Sequence, residues 1–249
     1  MVKPIGPHEL TTLILNQSKG SLRKEFFIMS RAKITCLSFL IRELIHLVCI
    51  TLACAITEVI CYHDAQHVYA AIMTGNTVEL GWDLAAGNLH RALPIAIALG
   101  SFFVGCIFAS VFQNQLKPVR RIYWLMALLL TAAMILRSNI SLRIPIELPL
   151  LAFALALQAE GVSQFARVTL QTVVVTNNLV KFAKNFTARY VNPSQDISQI
   201  PSREEVLIPG ICWVTFCIGA ALGGVLIAHL SVPLIVPIGL LVFLGTRSE

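Results

Sequence analysis

Val68-Tyr69-Ala70-Ala71-Ile72-Met73-Thr74-Gly75-Asn76-Thr77-Val78 is the stretch on which the fold turns. An apolar run reaches from Val68 to Ala86 and carries the polar tripeptide Thr74-Gly75-Asn76 inside it. A second run, Val168 to Ala183, carries Thr176-Asn177-Asn178 in the same way, at an offset of 102 residues (176 − 74). In hydrocarbon every backbone N–H and C=O needs a partner, so helix-loosening residues are tolerated only where they face protein or a cavity. Matched interruptions in two halves of a membrane protein point to a binding site between them.

Composition sets the solvent in which this reading makes sense. The 249 residues are 56% hydrophobic and only 13% charged, and the mean hydropathy is +0.76. Soluble domains carry about 25% charged residues, so this chain lacks the charge to coat a globule of its size. An all-α, polytopic helical membrane protein is the expected class, with the lipid bilayer as its principal partner.

The net charge of +6 forms no dense patch and does not indicate nucleic acid. Lys3, Lys19, Arg23, Lys24, Arg31, Lys33 and Arg42 precede the first long apolar run. Such a tail reads as cytoplasmic under the positive-inside rule, in the plasma (inner) membrane if the source is bacterial. The seven cysteines lie mostly in apolar segments, without C-x-x-C spacing, and support neither a zinc site nor a disulfide framework. His63, Asp64 and His67 fall in a short connection without a fourth ligand, which reads as a solvated loop.

Apolar runs suggest spans near 42–61, 68–87, 92–113, 122–137, 145–160, 168–184, 207–230 and 232–246. A crossing helix needs about 20 residues, and several of these are shorter, so six to eight spans are expected. Residues 1–40 form the tail, 41–140 a first membrane repeat and 141–249 a second, with a polar loop at 185–206. Glu58 maps to Glu160 at the same offset of 102, and Gly105 to Gly219 at a larger one. Four spans per half make the repeats parallel, and three make them inverted. With eight spans, Arg91, Arg137 and Arg143 share the tail's side, while Lys117, Arg120 and Arg121 fall opposite. One re-entrant segment per half would bring that second cluster inside instead.

Asn76, Glu79 and Asp83 share one helical face, and Asn178, Lys181 and Asn185 are their counterparts. Acids inside a span cost about 2.5–3.5 kcal/mol each, so Glu79, Asp83 and Glu58 are candidates for ion or proton coupling. A Glu79–Lys181 pair across the halves is expected if they pack about a pseudo-symmetry axis. Thr74, Gly75, Asn76, Thr172, Thr176 and Asn178 are the candidate contacts for a small polar solute. The competing reading is that these residues only satisfy their own broken helices. For Glu58 and Glu160, near span ends, a carboxylate exposed to interfacial water is the commoner case.

The segment Ala71-Ile72-Met73-Thr74-Gly75-Asn76-Thr77-Val78 resembles the signature of the YoaK family, membrane proteins of unassigned function. Glu58 stands where that family tends to carry an acid, and Leu157-Gln158 followed by Arg167 to Asn178 resembles its second half. Asn177 in place of Gly, Ala159 in place of an amide and Glu79 in place of a neutral residue depart from the pattern. The resemblance covers most of the chain after residue 40 and implies a membrane fold without naming a substrate.

No nucleophile elbow, phosphate loop or metal-protease motif occurs, so an enzyme is not expected, nor is any cofactor or metal. A secondary transporter or permease for a small polar solute, coupled to a proton, is the leading expectation. A non-transporting membrane scaffold or sensor is the alternative. A homo-oligomer is compatible with either.

Overall fold

Ser202 opens the longest helix. Its Oγ accepts from Glu205 N at 3.2 Å, and Glu205 Oε2 accepts from Ser202 N at 2.6 Å, a reciprocal cap that satisfies two otherwise orphaned donors. The helix then runs from Arg203 to His229. A computed structural model describes residues 41–161, 164–165, 168–169, 175–192 and 199–247. The basic tail, Thr172 and Arg167 lie outside the described residues.

In chain order the helices are α1 (Ile41–Asp64), α2 (Met73–Ala85), α3 (Leu89–Val111), α4 (Gln113–Leu116), α5 (Arg120–Leu136), α6 (Leu148–Gly161), α7 (Val175–Phe186), α8 (Arg203–His229) and α9 (Ile235–Arg247). Pro145 and Pro149 have no N–H to give a regular ladder, and α6 is entered through a 3-10 turn (Ile140–Leu142) and a π turn (Arg143–Glu147). After α6 the backbone makes one minimal antiparallel ladder, Gln164 opposite Thr169 and Phe165 opposite Val168. The described residues from Leu44 onward form one compact unit. Among the described residues, four stretches are long and apolar enough to cross a membrane: Ile41–Asp64, Leu89–Val111, Ile140–Gly161 and Arg203–His229.

The expected spans at 68–87 and 168–184 need correction. In the first, only the latter part is helix, 13 residues in α2; in the second, Val168–Thr169 is strand and the helix described, α7, has 12 residues. These are about 20 Å long, short of the roughly 30 Å hydrocarbon core. The first tripeptide therefore starts a helix instead of interrupting one. α2 begins at Met73, and α7 is described from Val175 onward.

Helix directions follow from contacts between small residues. A Cβ on Gly219 would stand 2.7 Å from that of Ala55, and one on Gly223 would stand 3.0 Å from that of Val59, so α8 lies parallel to α1. A Cβ on Gly105 would stand 2.7 Å from that of Ala156. Ile97 and Gly100 share a groove with Pro145 and Ile146, while Phe108 packs on Phe153, so α3 lies parallel to α6. Such glycines let helix backbones approach where lipid gives no hydrophobic drive to association. Gly161 abuts Ile122 and Gly245 abuts Trp124, which makes α5 antiparallel to both α6 and α9.

The helix ends consequently sort to two faces. Asp64, Arg137, Arg143 and Ser231 meet at one, which holds the ends of α1, α5 and α8 and the start of the 140–161 stretch. The start of α5 and the ends of α6 and α9 meet at the other. Lys117, Arg120 and Arg121 thus sit at the end where α1 begins, and Arg137 and Arg143 sit opposite. That corrects the eight-span distribution of charge.

α2 is an excursion from the Asp64 face. The chain turns back after Asp64 through Gln66 (φ 56°) and His67 (φ 69°), and Val68, Ala70 and Ala71 are buried on the way in. α7 is the counterpart from the opposite face and runs antiparallel to the first turns of α8. Asn178 meets Cys212, Phe182 meets Gly210, and Asn185 Nδ2 donates to Glu205 O at 2.8 Å. Outward on α8, Val214, Ile218, Leu222 and Val225 are all exposed, as are Leu93, Phe103, Val104, Ile107 and Val111 on α3.

Candidate functional site

Thr51, Cys54, Glu58 and Cys61 recur at helical spacing, so α1 carries a polar stripe along one face. All four are buried to 2% exposure or less. The stripe is met by one side chain from each of three other helices. Cys212 of α8 stands 3.6 Å from Thr51 Oγ1. Asn178 of α7 donates its amide to the Cys212 thiol at 3.2 Å. Gln158 of α6 donates to Ile50 O at 3.5 Å and approaches Cys54. Buried polar groups of this kind are retained where partners converge, because each one left alone is costly.

Glu58 does the work of a helix cap from a distance. Its Oε1 accepts from Ala71 N at 3.0 Å and Ile72 N at 2.8 Å, and Oε2 accepts from Ala71 N at 3.1 Å. Ile72, the capping position of α2, offers no side-chain cap of its own. A carboxylate at the start of a helix also meets the positive end of its dipole. Glu58 is therefore not the water-exposed carboxylate that its position near a span end suggests. Glu160, its counterpart by offset, is exposed.

Asn76 is wholly buried and closes the same turn. Its Oδ1 accepts from Tyr69 N at 3.0 Å and its Nδ2 donates to Tyr69 O at 2.7 Å. Gly75 leaves room for the Tyr69 ring, whose Cε2 would lie 3.3 Å from a Cβ there. Tyr69 in turn stacks on Tyr62 with ring centroids 4.8 Å apart. So the first tripeptide ties down the excursion into α2, and Asn178 at the equivalent place faces the α1 stripe through Cys212.

The remaining expected residues divide. Thr74 and Thr176 are exposed and Thr172 is not described, so no convergence of threonines is seen among the described residues. Glu79 is half-buried on α2, which packs on α3, and Lys181 lies on α7, which packs on α8. Asp83 is buried and links the end of α2 to the start of α3. It accepts from Asn88 Nδ2 at 3.4 Å and stands 3.9 Å from Arg91.

A second polar cluster was not visible in the sequence. Asp64 accepts from Arg137 Nε and, at 3.2 Å, from Arg137 Nη2. Arg143 Nη1 stands 3.4 Å from Asp64, and His63 Nδ1 stands 2.9 Å from it. Arg137 also donates to Ser231 O at 3.1 Å, and Arg143 Nε donates to Arg137 O at 3.2 Å. His63-Asp64 is thus not a solvated loop: Asp64 ends α1 inside an ion-paired network. The only hint was a pair of arginines, Arg137 and Arg143, bracketing a turn next to an acid, Glu147.

No curated protein and no solved structure matches the chain. Residues 46–246, which include both short helices, the α1 stripe and the Asp64 network, match the model of a family described as protein of unknown function (DUF1275), and the chain belongs to that family.

Proposed function

We propose that this protein is a multi-pass integral membrane protein that moves a small polar solute, as a secondary transporter or permease. The observation that carries the reading is the buried polar stripe Thr51-Cys54-Glu58 on α1, met by Gln158 and by Asn178 through Cys212. Polar side chains in the interior of a membrane bundle mark substrate and ion paths. Exposed apolar rows on α3 and α8 suit acyl chains better than water.

In this reading α1, α3, α5, α6 and α8 cross the bilayer, α9 crosses together with the turn before it because the segment runs from Ser231 at one face to Gly245 against Trp124 at the other, and α2 and α7 are re-entrant half-helices from opposite faces. Three crossings and one half-helix then make an inverted repeat, with the halves at 41–140 and 141–249. Reciprocal glycine contacts favour it: Gly105 on Ala156 and Phe153 mirrors Gly219 on Ala55 and Leu52. Binding sites in such folds form near the midplane, beside the half-helix starts. Lys117, Arg120, Arg121, Lys184, Arg189, Arg203 and Arg247 gather toward the end where α1 begins, which makes that end cytoplasmic and the N-terminus with it. The resemblance to YoaK proteins, carried by the Met73-Thr74-Gly75-Asn76 segment, agrees with this membrane setting.

One observation favours a second reading, a non-transporting scaffold or sensor: both polar ends of Asn76 are spent on the Tyr69 backbone. The readings part in liposomes. Purified protein should carry at least one solute of a broad polar panel under an imposed proton gradient, and Thr51→Val should slow that flux. Absence of flux across the panel would overturn transport. A ligand that raises the melting temperature of wild type and not of Thr51→Val would then support sensing, because only a ligand bound to the folded state stabilises it.

A further inference from the structure

The Asp64 network holds one member that it does not satisfy. Glu147, in the π turn ahead of α6, is 1% exposed, and neither carboxyl oxygen has a hydrogen-bond partner among the described residues. It faces a gap of about 140 Å³ lined by Cys61, Asp64 and Arg143 along with Leu148 and Leu151. That gap has no room for a water-sized sphere. Neither a hydrated cation nor a polar solute fits it. What fits is a proton on the carboxyl.

We propose that Glu147 is a proton-binding site, and that its proton decides which carboxylate Arg143 serves. An ionised, buried and unpartnered carboxylate is costly, whereas a neutral acid there is tolerated while Arg143 stays 3.4 Å from Asp64. Removing the proton creates a second claimant for Arg143. The π turn that carries both residues then draws Arg143 toward Glu147, and Asp64 keeps Arg137 and His63. The charged groups acting on Glu147 are Asp64 from α1, Arg137 from α5 and Arg143 on its own turn, with the Cys61 thiol beside them. α6 adds Leu148 and Leu151. α3, which borders the turn through Ile97, Gly100, Ser101 and Val104, adds no titratable group there.

The network joins the ends of α1 and α5 to the start of the 140–161 stretch and, through Ser231, to the connection between α8 and α9. A proton at Glu147 thereby tightens or loosens a clasp between residues 41–140 and 141–249. This inference does not rest on solute transport, and neither readout below involves flux.

The test is a pH titration of the full chain in lipid nanodiscs, followed by the infrared C=O stretch of protonated carboxyls and by the protons released in a pH jump. Wild type should show a protonated-carboxyl band component that disappears as pH rises, with release of a proton. Glu147→Gln should lose that component and that proton, and Glu147→Asp should keep both with the component displaced. A Glu147→Gln spectrum superimposable on wild type would overturn the proposal. If neither variant folds, the wild-type chain with ¹³C-labelled glutamate is titrated by NMR. A buried glutamate carboxyl that changes state in both wild type and Glu58→Gln supports the site, and its absence overturns it.

Discussion

Replacing Asn76 by Ala removes both side-chain bonds to Tyr69 and leaves the Tyr69 N–H and C=O without those partners. Interhelical side-chain bonds in membrane proteins average about 0.6 kcal/mol, with a maximum of about 1.7. Two such bonds give about 1 to 3 kcal/mol. The partial exposure of Tyr69 favours the lower half of that range, since water can reach part of the turn. For a chain of this size each kcal/mol moves the midpoint by about 2–4 °C, so a fall of roughly 2–8 °C in detergent is expected. Asn76→Asp is the sharper probe. It keeps an acceptor for Tyr69 N but loses the donor to Tyr69 O and buries a charge, so it should destabilise at least as much despite its shape. An Asn76→Asp protein as stable as wild type would refute the idea that this amide closes the turn.

Other expectations follow from the same geometry. Gly105→Ala and Gly219→Ala each force a Cβ to within 2.7 Å of another alanine Cβ and should cost about 1–3 kcal/mol by overpacking. Gly100→Ala and Gly224→Ala, with nothing within 4 Å, should be neutral or stabilising by up to about 1 kcal/mol; thermal denaturation separates the two pairs. Arg137→Ala strips Asp64 of its principal partner and should cost about 3–5 kcal/mol, as removal of one member of a buried ion pair does, read by chemical denaturation. In intact cells an impermeant thiol reagent should label Asn139→Cys and spare Lys117→Cys on a background lacking the seven native cysteines. Equal labelling of the two would refute the assignment of the faces.

The long helices were legible in the sequence because their apolar runs exceed about 20 residues, and length alone identifies such a segment. The offset of 102 was legible as well, and it places Asn76 and Asn178, both buried, on the two short helices. What hydropathy did not contain was where those helices begin. Glu58 on α1 sets the start of α2 from 13 and 14 residues upstream, and Asn76 bonds backward to Tyr69 instead of outward to a ligand. Both effects depend on a reversal at Gln66 and His67 that no periodicity announces. The Asp64–Arg137 pair spans 73 residues, beyond the reach of local pattern. Glu79 and Lys181 seemed matched by position in their repeats, yet each short helix packs on the long helix that follows it.

The interlocked glycines have a consequence for biogenesis. α1 finds its close-packed neighbour in α8, and α3 finds its own in α6, so neither contact exists while only the first 140 residues have left the ribosome. During that interval Ala55, Leu52 and Gly105 must be screened by acyl chains or by the insertion machinery. A chain cut between residues 138 and 140 and co-expressed as two pieces should therefore reassemble, whereas the leading piece made by itself should be degraded.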